Sequence, residues 1–218
     1  VIRKNNIKIC IINLMKKINI LFFAVILFLS SCVSTSKTKL IPRNEILDLE
    51  KTAKNPYKQI LVQWKNYSYT DYNKVNRLEK DPNTLTPQEV DDDDYIKFKK
   101  RVIEKFKESN MYDETNGTGT VKIILLTYGR WNYSELFSTF LVDTGYILIL
   151  PASLKVTYRM FVTAEQNDKE YKFEKTGEVK TTFHLLLFPF YPISTFSGKE
   201  KYVIDNMLYE TLIDLSKR

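Results

Sequence analysis

The chain has 218 residues, 44% of them hydrophobic, with 33 Lys and Arg against 26 Asp and Glu and a formal charge of +7. Five of the basic residues, Arg3, Lys4, Lys8, Lys16 and Lys17, precede Cys32 and no acid does, so beyond that point the +7 falls by those five to +2. Such a small excess excludes a nucleic-acid binder, which depends on dense basic charge to displace phosphate counterions.

The first predicted element is a leader. Lys16 and Lys17 follow Met15, Ile20 to Leu29 form an apolar run, and Leu29-Ser30-Ser31-Cys32 places small residues before a cysteine. This is the layout of a secretory signal peptide, with Met15 the expected start. The competing readings are a plain cleaved signal and an uncleaved span. A span needs roughly 20 apolar residues, and Lys16 and Lys17 cut this run short. Leu29-Ser30-Ser31-Cys32 resembles the lipobox of bacterial lipoproteins. The resemblance implies cleavage between Ser31 and Cys32, lipid on the Cys32 thiol and acylation of its new amino group. Each buried methylene contributes about 0.8 kcal/mol and a single myristoyl chain holds only reversibly, so a multiply acylated Cys32 implies lasting attachment to a membrane. The same resemblance implies a cell-envelope location. Val33 rather than Asp follows the cysteine, which favours the outer membrane where the organism has one.

The 2 cysteines are Cys10 and Cys32. With Cys10 in the leader and Cys32 lipidated, the remaining body of roughly 190 residues has no thiol pair and relies on its core, which a domain of that size can supply. The expected organisation is a signal peptide over 1–31, a lipid anchor and tether over 32–56, and a single domain over 57–218.

Val33 to Leu40, small, polar and basic, reads as a flexible tether. A short helix is expected over Asn44 to Lys54, capped by Asn44 and stopped by Pro56. Ile60, Val62 and Trp64 alternate with Gln63 and Lys65, which predicts a strand over Gln59 to Asn66. Tyr67 to Gln88 is polar and reads as a long loop. Tyr95, Phe98, Val102 and Phe106, widened by Ile96 and Ile103, predict a helix over Glu89 to Ser109. Asp91 to Asp94 crowd its start and lysines its end, matching the helix dipole, and Asn110 is the candidate C-cap. After the turn Asn116-Gly117-Thr118-Gly119, the run Thr120 to Gly129 predicts an interior strand. Trp131 to Leu150 reads as a short helix followed by extended chain.

Leu154, Val156, Tyr158, Met160 and Val162 alternate with polar residues up to the turn Gln166-Asn167-Asp168, and Tyr171 and Phe173 alternate with Lys172, Glu174 and Lys175 on the return. This predicts a long hairpin, with a bulge or bend at Gly177 and continuation through Phe183. Ser197-Gly198-Lys199-Glu200 fits a capping box opening a helix from Gly198 to about Leu215. The order predicts an α+β fold: a mostly antiparallel sheet with a long hairpin and two main helices packed on one face.

The chemistry-bearing residues are sparse. His184 is the sole histidine and has no neighbouring His or Cys to build a zinc site, so it reads as a packed strand residue. Asp91 to Asp94 lack the alternating spacing of a calcium loop and read as solvated acids, with a weak ion site involving Asp71 or Asp81 as the minor alternative. Trp64, Tyr67, Tyr69 and Tyr72 form the candidate binding cluster, since aromatics can stack on sugars or peptides; ordinary packing explains them as well. Leu136 to Leu150 and Leu185 to Phe196 are unusually apolar and are either core or a contact patch. No phosphate-cradling glycine motif occurs, so no cofactor, no metal and no catalytic residue is expected.

FKESNMY at the end of the central helix, the strand VKIILLTY, the long hairpin and FHLLLFPFYP before an amphipathic terminal helix resemble small α/β bacterial envelope lipoproteins over residues 90 to 215. More distantly they resemble the periplasmic domains of lipoproteins that activate cell-wall synthases or assemble secretion pores. The resemblance implies a non-catalytic protein, tethered to the membrane through Cys32, that binds or helps assemble another envelope component. The alternatives are a surface-exposed ligand- or host-binding lipoprotein using the Tyr-rich loop, and a hydrolase of envelope polymers using paired carboxylates.

Overall fold

A computed structural model describes residues 32–51, 56–68, 87, 90–130, 152–183 and 195–217. The leader, Tyr69, Tyr72, His184, Trp131 to Leu150 and most of Leu185 to Phe196 lie outside the described residues. The elements are β1 Cys32–Lys37, α1 Arg43–Lys51, β2 Gln59–Ser68, α2 Asp92–Glu108, β3 Thr120–Arg130, β4 Ala152–Gln166, β5 Lys169–Phe183 and α3 Phe196–Ser216. They form the expected α+β fold. The five-stranded sheet has the order β1-β5-β4-β3-β2 and is antiparallel except for the β2–β3 pair, which the α2 crossover makes parallel.

Alternation of side chains sets the two faces of the sheet. Val121, Ile123 and Leu125 of β3, Leu154 to Val162 at every second position of β4, and Val179 of β5 are buried on one face. The helices cover that face: Phe98, Val102 and Phe106 of α2, Val203, Met207, Leu208 and Leu212 of α3, and Leu49 of α1 join a single core. Thus α1 is the short helix expected over Asn44 to Lys54, beginning at Arg43 so that Asn44 lies inside it rather than capping it. The β4–β5 hairpin turns through Asn167 and Asp168, both in the left-handed region with φ of 52° and 58°, the backbone a two-residue type I′ turn needs.

Several expectations are corrected. The supposed tether is largely strand. Cys32–Lys37 pairs antiparallel with β5, and Ser34 Oγ lies 2.8 Å from Thr181 Oγ1 with both residues fully buried. Small hydroxyl side chains that read as coil by composition are here satisfied by each other inside the fold. Gly177 is not a bulge, because β4 and β5 stay in register from Ala152↔Phe183 to Gln166↔Lys169. Its role is close approach: a Cβ there would lie 2.3 Å from Val203 Cγ1. Lys175 is not on the polar face. It shares the helix-facing face with Val179 and is 8% exposed. The α3 cap is Thr195, whose side chain accepts from Gly198 N, rather than Ser197, and Glu200 turns away from the cap toward Arg130. Ile96 does not widen the buried stripe of α2; it is 59% exposed.

Candidate functional site

Among the described residues, a dense constellation of charged and aromatic groups lies where β2 and β3 end beside the N-terminal parts of α2 and α3. Its centre is Arg130, and a backbone irregularity puts it there. Plain alternation from Thr127 would turn Arg130 to the face opposite the helices. Gly129 adopts φ 75°, and the β2–β3 register slips so that Tyr67 pairs with Tyr128 but Ser68 with Arg130. The extra residue changes the phase of the strand and carries the guanidinium to the helix face.

There Arg130 Nε donates to Glu200 Oε1 at 2.9 Å and Nη2 donates to Asp94 Oδ2 at 2.6 Å and Glu200 Oε2 at 3.4 Å. Tyr158 Oη donates to Glu200 Oε1 at 3.0 Å. The guanidinium carbon sits 5.0 Å from the centroid of the Trp64 ring, a favourable cation–π distance. Trp64 meets Phe98 edge-on at 5.4 Å and its Nε1 donates to Thr127 Oγ1 at 3.1 Å, which in turn donates to Asn66. Burial opposes the charge on Arg130, but the carboxylates of Glu200 and Asp94 outweigh it and raise its pKa. Burial first, then the Glu200 carboxylate, pushes the Tyr158 phenol well above its ordinary value. A cleft of about 180 Å³ opens beside this network, lined by Trp64, Asp94, Lys97, Arg130, Glu200 and Lys201 among others. Asp94 and Glu200 thus converge on one guanidinium, and each is already committed as its partner.

The predicted aromatic cluster is not a single platform. Trp64 faces the helices, whereas Tyr67, three residues on, faces the other side of the sheet and stacks on Tyr128 with centroids 4.9 Å apart. An odd separation in a strand puts two side chains on opposite faces. Asp91 accepts from Asp93 N as the α2 cap, and Asp92, Asp93 and Asp94 fill the first turn. Among the described residues no group of three or more His, Cys, Asp and Glu gathers as a metal site, and no helix is long and apolar enough to cross a membrane. Cys32 is the first residue of β1.

A second charged cluster escaped the sequence reading. Lys175 of β5 donates to Glu210 at 3.2 Å and to Asp214, both on α3, and Lys39 reaches the same Glu210 oxygen at 3.4 Å. Burial works against the Lys175 ammonium, but Asp214 and Glu210 outweigh it and raise its pKa. An open cleft of about 600 Å³ lies here where β1 ends, with Arg159 and Glu174 on its wall. These two are themselves paired at 2.6 Å. The only sequence signal for this network was a lysine at a core-facing position of a strand.

No protein-family model matches the chain, and no curated protein matches it significantly.

Proposed function

We propose that this chain is a lipid-anchored, non-catalytic envelope protein that binds or helps assemble another envelope component. The observation that carries the reading is the leader itself: Lys16 and Lys17, the apolar run Ile20 to Leu29, and Leu29-Ser30-Ser31-Cys32 at its end. Cys32 belongs to β1. The arrangement of the carboxylates also favours binding over hydrolysis. A glycosidase pair needs one free acid and one free base or nucleophile, whereas Asp94 and Glu200 are both held by Arg130. The separation of Trp64 from Tyr67 weakens the ligand-platform alternative.

Mass spectrometry of the membrane-fraction protein tests the anchor. The expected N-terminal peptide begins at Cys32 and carries lipid. Cys32→Ala should give a body that folds but stays unprocessed or is misplaced, without lipid. A full-length, unmodified product in the cytosol would overturn the reading. Cross-linking of the lipidated protein in intact cells tests for the partner, and the expected result is a specific envelope protein that the Cys32→Ala form no longer captures.

A further inference from the structure

The sheet has a polarity relative to Cys32. From its first residue β1 is paired: Cys32 lies opposite Phe183, Val33 opposite Thr182 and Ser34 opposite Thr181. The row continues across β5 to Ala152 and Ser153 of β4. Ser68 and Arg130, the last residues of β2 and β3, finish at the same end, and Asp94 and Glu200 bring the N-terminal parts of α2 and α3 to it. The opposite end carries Gln166, Lys169, Thr120 and Gln59, together with the turn Asn167-Asp168. Between the two ends β4 runs 15 residues, about 45 Å at roughly 3.3 Å per residue.

Resting on the lipoprotein reading above, we propose that the Cys32 end of the sheet is seated directly on the bilayer surface and the Asn167-Asp168 end is held away from it. A flexible linker of about eight residues would let the body wander by about 15 Å. Here the linker has no length, because the strand that would have to detach is hydrogen-bonded to β5 along its backbone and locked by the buried Ser34–Thr181 contact. The lipid-bearing residue is then itself part of the sheet. The Arg130 cleft lies near the membrane, and the hairpin tip is the surface a partner meets first.

Single labels can measure this, since no cysteine other than Cys32 follows the cleavage point. Ser153→Cys and Lys169→Cys, both at exposed positions near opposite ends of the hairpin, would each carry a fluorophore in the lipidated protein. The protein would be reconstituted in phosphatidylethanolamine–phosphatidylglycerol vesicles containing a headgroup quencher. Quenching at Ser153→Cys should exceed that at Lys169→Cys severalfold. Inserting eight Gly and Ser residues after Cys32 should bring the two values together. Equal quenching in the uninserted protein, with lipid on Cys32 verified by mass, would overturn the seating while leaving the anchor intact. Absence of lipid on Cys32 would overturn both.

Discussion

Arg130 Nε and Tyr158 Oη donate to the same oxygen of Glu200, at 2.9 Å and 3.0 Å, so one carboxylate ties the end of β3 and the middle of β4 to the N-terminal part of α3. The Arg130 and Glu200 side chains are 18% and 13% exposed. Removing the cation would strand an acid away from water. Arg130→Ala should lower stability by about 3 kcal/mol, the scale of breaking a buried pair, with little of it from the more exposed Asp94. Glu200→Gln, which keeps an acceptor for Tyr158, should cost less. Urea denaturation checks both; an unchanged midpoint for Arg130→Ala would remove the network from the stability argument.

Gly177 lets α3 approach β5. Gly177→Ala puts a methyl 2.3 Å from Val203 Cγ1 and 3.3 Å from Met207 Sδ, and overpacking of this kind costs about 1–3 kcal/mol. Val203→Ala should recover part of the loss when combined with it, because the two positions share one contact. A double-mutant cycle in urea showing strict additivity would refute the contact.

Ser34 and Thr181 hold β1 to the sheet. Ser34→Ala leaves the Thr181 hydroxyl buried without its partner and should cost about 1–2 kcal/mol, whereas Ser34→Ala with Thr181→Val should be closer to neutral. Amide exchange should report the single variant first in β1. Fast exchange of β1 in the unaltered protein would contradict its place in the sheet.

Alkaline pH should unfold the protein. Burial raises the phenol pKa of Tyr57, Tyr128 and Tyr158 above 10.0, and ion pairing raises Lys175 above 10.5 against its burial. In each case the folded state holds the proton more tightly than the unfolded state. Their contribution is complete below the unfolded pKa and declines as pH rises through the folded one. Denaturation midpoints should be level to about pH 9 and fall beyond about pH 10. A flat profile across that window would count against these burials.

Asp113 organises the turn before β3. Its carboxylate accepts from Asn116 N at 3.0 Å, Thr115 Oγ1 at 2.7 Å, Asn116 Nδ2 at 3.0 Å and Thr115 N at 2.9 Å. These bonds hold its pKa well below the usual 3.8. A depressed folded pKa means stability present above 3.8 and lost as pH falls through the folded value. Asp113→Ala should therefore be less stable than the parent at neutral pH, with the gap narrowing in acid. A pH-independent gap would assign the effect to something other than the carboxylate.

The α+β class, the interior strand β3, the hairpin and the apolar faces of α2 and α3 were legible from spacing. Each depends on side-chain periods of two or 3.6 and on turn residues a few positions apart. The separation of Trp64 from Tyr67 was not read, because the strand was expected to end at Asn66 with Tyr67 opening a loop, whereas β2 runs on to Ser68. What residue order could not supply was the partner of each charge. Arg130 meets Asp94 and Glu200 across 36 and 70 positions of chain, and Lys175 meets Glu210 across 35.

The sequence alone determined the local elements and, through the four residues ending at Cys32, the anchor expectation, because enzymes and backbone dihedrals both act on neighbouring residues. Only the tertiary structure decided that Cys32–Lys37 is strand rather than tether, that Gly129 turns Arg130 inward, and that Lys175 meets Glu210 and Asp214. Those outcomes hang on hydrogen bonds and ion pairs between residues far apart in the chain. Such bonds stabilise a conformation only after the helices have closed over the sheet and excluded water.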